Sequence, residues 1–239
     1  KMLSLDTDTG ACSMTVMFEA GYELPPGMSY SELELFVMTG YIEMEGQKHG
    51  PGTYICLPAG VALPAMKMPR GVTGLMFYNY GEPSFLESDE DHPRAQREQL
   101  VMVNAYEGLQ WKAADFIRPS VAPGCMVKML RSDPLTHAHS LLYCMTPNYW
   151  QDNISYHDCA EEAYHIWGTS WMMQFGNLPT GGYFWRPEYI NHGAFASQLG
   201  DTVAVMDDGR IVHSGSMADL AADEALQQRL LGLSLGAHA

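Results

Sequence analysis

No stretch of 18 or more apolar residues occurs in the 239 residues, so the chain offers no membrane-crossing helix. Basic residues are scarce: 13 Lys and Arg stand against 28 Asp and Glu, for a net charge of −15. Nucleic-acid binding needs phosphate-neutralising cations, so this balance excludes nucleic acid and reads as a solubilising surface. The five cysteines, Cys12, Cys56, Cys125, Cys144 and Cys159, form no CxxC pair. An odd, unspaced set in a chain of this length reads as reduced thiols in a cytoplasmic protein. A GxxxxGK[ST] loop is missing, which removes the usual phosphate cradle for nucleotide hydrolysis. Residues Lys1 to Gly10 carry no basic-plus-apolar signal pattern.

What is present is mostly strand. Apolar residues make up 46 %, enough for a packed core. Short β-type runs recur at Cys12–Phe18, Leu33–Met38, Thr53–Leu57, Gly74–Tyr78, Ser140–Met145, Ala163–Trp167, Trp171–Phe175, Tyr183–Trp185 and Thr202–Met206, punctuated by Gly, Pro, Asn or Asp. That spacing predicts antiparallel sandwiches or barrels. Asp207–Asp208–Gly209 predicts a hairpin between the last run and Arg210–His213. The acidic, proline-containing run Glu82 to Arg97 reads as an exposed connection, with a boundary near 85–100. Near the end, Ser216 as N-cap, Asp219 and an apolar stripe of Leu220, Leu226, Leu230 and Leu231 predict the one helix.

The two halves overlay with a shift of about 128 residues, long enough for a whole-domain repeat. Gly40 falls on Gly168 and Pro58 on Pro187. In the second half His157-x3-Glu161-x6-Gly168 is followed by Gly181-x5-Pro187-x-Tyr189-x2-His192. In the first, Gly52-x5-Pro58-x-Gly60-x2 leads to Leu63. These runs resemble the two motifs of cupins, G-x5-HxH-x3-4-E-x6-G and G-x5-P-x-G-x2-H. The resemblance covers roughly residues 10–80 and 110–215. It implies an all-β protein of two tandem double-stranded β-helix barrels, an N-terminal one over 1–95 and a C-terminal one over 96–215, before a short helix and tail over 216–239. It also implies a metal site in the second barrel, held by His157, Glu161 and His192. The earlier motif-one histidine is replaced by Ser155, and Tyr189 stands where Gly is usual. In the first barrel the ligand places fall on Gly27, Ser29, Leu33 and Leu63, so every donor is gone. Trp111 and the run Lys128 to Thr136 look like the lead-in of cupins related to acetylacetone-cleaving dioxygenases and to the ChrR anti-sigma cupin domain. The segment Gly200 to Leu233 resembles the tail of the ATP-binding subunits of amino-acid transporters; without a phosphate loop it implies no ATPase role.

The residues themselves suit such a site. Strands alternate their faces, so Glu161, Ala163, His165 and Trp167 are expected on one face. Donors from separate strands that converge inside a barrel make a rigid metal centre. Two imidazoles and a carboxylate suit one divalent transition metal, Fe(II) first, with Mn, Zn, Ni and Cu also accommodated. Binding requires neutral imidazole, so affinity is expected to fall below about pH 6.5. Tyr156, Trp167, Trp171, Met173, Phe175, Tyr183, Phe184 and Trp185 predict an apolar pocket for a small organic substrate. Arg186 is the cation placed to hold a substrate carboxylate. His165 or a tyrosine such as Tyr156 is the candidate for moving protons, against the alternative of a core histidine bonded to a carbonyl. His137-x-His139 has Tyr143 where a cupin needs Glu, and reads as a loop or strand start. Cys159 reads as a buried, inert thiol.

Three functions are compatible with these residues. The first is a metal-dependent enzyme on a small chelating substrate, with oxygen-dependent, dioxygenase-type cleavage favoured. The second is a redox-neutral isomerase or lyase using the same metal as Lewis acid. The third is a non-catalytic ligand- or metal-binding bicupin. Partners beyond the substrate are limited to a second copy of the chain in a homo-oligomer.

Overall fold

The computed structural model describes residues 1–114, 123–134, 136–154, 156 and 158–197, with the backbone of 202–207 and 210–216. Among them regular structure is almost wholly strand, with a 3-10 turn at Arg97–Gln99. No helix among the described residues is long and apolar enough to cross a membrane. The chain divides into two compact units, Lys1–Pro119 with Cys125–Cys144, and Ser120–Gly124 with Met145–Ala239.

In the first unit a six-stranded antiparallel sheet runs in the order Met2–Leu5, Cys12–Phe18, Val72–Asn79, Glu32–Gly40, Thr53–Leu57, Val101–Asn104. A four-stranded sheet has the order Tyr22–Leu24, Met66–Met68, Ile42–Met44, Gln47–His49. The core draws on both: Leu35, Val37, Ile55, Leu57 and Val72 from the larger sheet, Ile42, Met44 and Met68 from the smaller. Alternation sets this up. In Glu32–Gly40 the odd-numbered Leu33, Leu35 and Val37 turn to the core, and Glu32 and Glu34 turn away. Each fully buried aliphatic side chain contributes roughly 1.5–3 kcal/mol, so the ten-residue cluster dominates this unit's stability.

The outward-turned carboxylates are not left to water. Arg131, on Cys125–Ser132, reaches Glu32 Oε1 at 2.6 Å and Glu34 Oε1 at 3.2 Å. Glu34 Oε2 accepts from Tyr54 at 2.7 Å and Ser140 at 2.5 Å, and Asn79 donates to both glutamates. A buried ion array holds together only when nearly every polar atom is paired, and this one is. Burial, and next the carboxylates nearby, push the Cys56 thiol up to about 12, which makes it inert.

The run Glu82 to Arg97 is largely exposed, as the sequence suggests, but it is pinned to the first unit rather than left as a free connection. Leu86–Glu87 pairs with Gly27–Met28, the amide of His92 donates to the carbonyl of Gly60, and Asp91 accepts from the amide of Ala62. Arg97 closes the strap on Asp91 and on the carbonyl of Ala62. Its acidic residues therefore cap loop amides, a role that composition does not reveal. For the same reason the expected division at 95/96 does not coincide with the observed units. Val101–Asn104 adds to the edge of the larger sheet, beside Thr53–Leu57.

The second unit repeats the smaller sheet strand for strand: Tyr149–Gln151, Phe195–Ser197, Thr169–Met172, Gly176–Pro179. Register is repeated too. Glu43↔Lys67 and Met44↔Met66 in the first unit correspond to Trp171↔Ala196 and Met172↔Phe195 in the second. Leu33↔Leu57 corresponds likewise to Glu161↔Arg186. Among the described residues, a core cluster here joins Met172, Leu178 and Phe184 with Ala163 and Phe195. Two expected runs end early. Strand pairing stops at Tyr164 rather than Trp167, and a turn over 173–175 separates Thr169–Met172 from Gly176–Pro179. Thr202–Asp207 pairs with Arg210–Ser216, as the hairpin reading requires. Ser216 ends that strand; the expected helix beyond it lies outside the described residues.

Candidate metal centre

Glu161–Tyr164 and Tyr183–Arg186 form an antiparallel pair with Glu161 opposite Arg186 and Ala163 opposite Phe184. Directly opposed residues project to the same face. Phe184 lies in the core, so Glu161 and Arg186 are on the inward face and Trp185 is on the outward one. Arg186 is 5 % exposed, its guanidinium sits 4.9 Å over the Phe175 ring, and Nη1 donates to the carbonyl of Asn191 at 3.4 Å. Its buried Nε has no hydrogen-bond partner among the described residues.

His192 reaches the same place from the chain that follows Pro187. It is 3 % exposed, and its ring meets the Phe195 ring edge-on at 5.7 Å. Nδ1 donates to the carbonyl of Ile190 at 3.0 Å. A carbonyl accepts only, so the proton sits on Nδ1 and neutral His192 turns its Nε2 lone pair outward. That atom stands 3.7 Å from Glu161 Oε2. Two electron-rich atoms so placed attract one another only through a proton or a cation. A backbone carbonyl on the far nitrogen is also the device by which metal-binding histidines fix their tautomer.

Glu161 and His192 are thus brought together from separate segments. His157 and Ser155 lie outside the described residues. Among the described residues no group of three or more His, Cys, Asp and Glu is placed to hold a metal. The strand ends at Tyr164, but the backbone of His165 still bonds Gly181 and Gly182 across the pair, and its side chain is half-buried. Its Nε2 is 2.7 Å from Ser170 Oγ, and burial holds the imidazole below its ordinary range. Trp167 and Tyr156 are exposed; Tyr156 lies 6.4 Å from Tyr189, ring to ring. Of the eight residues expected to line an apolar pocket, Trp167, Met173, Phe175, Trp185 and Tyr156 are exposed, and Phe184 is buried in the core. Cys159 is exposed rather than buried; partial burial, then Asp158, Glu161 and Glu188, push its thiol up, so it remains unreactive. His137 sits in a turn and His139 opens the strand His139–Met145.

The frame around the site repeats that of the first unit in detail. Gly40 and Gly168 are left-handed at φ 78° and 83°, Gly52 and Gly181 at 84° and 82°, and Gly60 and Tyr189 at 77° and 61°. Tyr189 therefore adopts the conformation that the usual glycine supplies freely. At the first unit's ligand places, Gly27 and Leu63 form a backbone bridge, with N–O distances of 3.1 and 2.9 Å. Leu63 lies in the core with Leu33 packed against it. Ser29 Oγ meets Ser84 Oγ at 3.1 Å, and a Cβ at Gly27 would collide with the Phe85 ring. Protein fills that space. The sequence reading missed the Glu32–Glu34–Arg131 array; the alternation in Glu32 to Phe36 was a signal for the glutamates, but nothing local pointed to Arg131.

Two antiparallel sheets closed on an apolar core, with glycine corners and donors carried inward on a strand pair, define a protein with the cupin fold. Within that class the chain belongs to the DUF4437 family, a domain of unknown function, whose family model matches residues 1–212. A “putative dioxygenase” from Nostoc punctiforme PCC 73102, solved at 2.60 Å, is similar in structure with a TM-score of 0.73 and 21 % identity over 82 % of this chain and 68 % of that one. Oxalate decarboxylase from Bacillus subtilis, a protein with Mn(II) centres, superposes with a TM-score of 0.53 and 13 % identity over 95 % of this chain and 77 % of that one. At these identities the likeness is one of fold. No curated protein matches the sequence significantly.

Proposed function

We propose that this chain is a two-barrel cupin whose second barrel holds one divalent transition metal and acts on a small organic substrate with a chelating pair of oxygens. His157, Glu161 and His192 would hold the metal, and the first barrel would serve as a metal-free scaffold. The observation that carries this reading is the 3.7 Å approach of His192 Nε2 to Glu161 Oε2, with Nδ1 fixed on the Ile190 carbonyl. The residues present fit a borderline cation of the Fe(II) or Mn(II) kind better than a hard one such as Mg(II), because imidazole suits transition metals. When bound, such an ion supplies Lewis acidity and, for iron, the redox chemistry of oxygen-dependent cleavage.

The chain's own residues do the rest. Arg186, buried on the face that bears Glu161, orients a substrate carboxylate through its Nε. The Phe175 ring and the Asn191 carbonyl keep its guanidinium from rotating away. The hydrogen bond from Nδ1 to the Ile190 carbonyl fixes the ring of His192 so that Nε2 is the nitrogen offered to the metal. His165, its Nε2 committed to Ser170, and exposed Tyr156 are the groups assigned to proton movement.

Metal analysis of purified His192→Ala tests the reading. Bound metal is expected to fall at least about tenfold below wild type, the usual cost of losing a ligand. Full occupancy in the variant would remove His192 from the site. Turnover that persists without O2 and with a redox-silent metal would overturn the oxygen-dependent part.

A further inference from the structure

The first unit contains a cavity of about 280 Å³ away from its filled ligand places. Its lining combines Tyr30, Glu32 and Tyr80 with Arg94, Gln96 and Gln99 of the strap and its neighbouring turn. Nothing in the metal reading uses it.

Its floor is preorganised. Glu32 Oε1 is taken by Asn79 Nδ2 at 2.9 Å and by Arg131 at 2.6 Å. Glu32 lines the cavity, so an anchored carboxylate forms part of its wall. Arg131 is paired with that carboxylate and Arg94 shares the lining, so the lining favours neither a cation nor an anion strongly. Gln96 and Gln99 add amide-bearing side chains to it. Two tyrosines flank the opening, Tyr30 at 64 % and Tyr80 at 72 % exposure. Tyr80 holds a left-handed backbone, φ 66°, which non-glycine residues rarely adopt and which clusters at ligand clamps. Partial burial, then the Glu32 carboxylate, raise its phenol, so it remains a donor.

A carboxylate, amides and a guanidinium are planar groups that engage two neighbouring hydroxyls at once. Tyrosine rings offer flat apolar faces with a polar tip. Aliphatic lining is limited to Pro58 and Ala59, which argues against a lipid or a hydrophobic acid. The ligand class that uses every one of these features is a neutral sugar ring, with its C–H face on a tyrosine and its vicinal hydroxyls on Glu32, Gln96 and Gln99. We infer that the first unit carries a saccharide-binding site between the strap and the strand ends Glu32 and Asn79.

Saturation-transfer NMR on the full chain with the methyl glycosides of glucose, galactose and mannose tests this. At least one glycoside is expected to show transfer, with a Kd measurable by titration. Tyr30→Ala and Gln99→Ala, both outside the core, should each weaken it about tenfold while the thermal midpoint stays unchanged. His192→Ala, in the other unit, should leave the affinity as it is. The inference is overturned if no glycoside shows transfer, if transfer is equal in wild type and both first-unit variants, or if only amino acids bind. Loss in His192→Ala with retention in Tyr30→Ala would place the sugar elsewhere and overturn it as well.

Discussion

The two units use one backbone plan for opposite ends. Where the second has Glu161, Arg186 and His192 turned inward, the first has Leu33, Leu57 and Leu63. The first builds a ten-residue apolar cluster there; among the described residues the second has a cluster of three with buried polar side chains beside it. A buried charge weakens a core unless it is paired, so polar side chains on the inward face come at the expense of packing. The first unit keeps its ionic residues on the other side of the same strand, where Arg131 binds both glutamates.

Five substitutions would break or sharpen this contrast. The largest effect is expected from Arg131→Ala, which leaves Glu32 and Glu34 buried without their cation and should cost about 3–5 kcal/mol in urea unfolding. A loss near zero would show that the first unit's ions are not structural. Next is Leu63→His, which returns one ligand to the first unit. It should destabilise by about 1–3 kcal/mol through burial of an unmatched imidazole, and bring no additional metal, because Gly27, Ser29 and Leu33 offer no further imidazole or carboxylate. Stoichiometric extra metal would contradict the equivalence of the two frames.

The corner residues give a smaller, two-way test. Gly60→Ala forces a Cβ into a left-handed position 2.9 Å from the His92 Cβ, and should cost about 1–2 kcal/mol. Tyr189→Gly relaxes the equivalent corner and should gain up to about 1 kcal/mol, net of the greater freedom of glycine in the unfolded chain. Equal signs for the two would end the correspondence between these corners.

The smallest effect concerns pH. Burial holds His165 below the ordinary imidazole value near 6.5. As pH falls below 6.5 the unfolded chain takes up this proton before the folded one does. The contribution of His165 is therefore complete above pH 6.5 and declines toward acid. His165→Gln should flatten that part of the stability-against-pH curve. An unaltered slope would mean that His165 titrates freely, as an open catalytic group would.

Much of this was legible along the chain. Cys12–Phe18 and Thr53–Leu57 were bounded to the residue, because period-two alternation and glycine corners act locally. The pairing of Glu161 with His192 followed from motif spacing. The strap, by contrast, read as a linker, because a capping Asp91 and a solvated aspartate look alike in sequence. Trp167 was put on the inward surface and is exposed, since the strand Glu161–Tyr164 ends before it.

By itself the sequence determined the strand-rich class, the duplication, the left-handed corners and the half that keeps metal-type donors. These rest on residue type and short spacing, which hold before any chain contact forms. Only the tertiary structure decided which acidic residues are paired, where the strap lies, and that Glu32 lines a cavity. Each of those depends on side chains distant in sequence, such as Arg131 and Glu32, meeting at hydrogen-bond distance, and no local pattern encodes such a meeting.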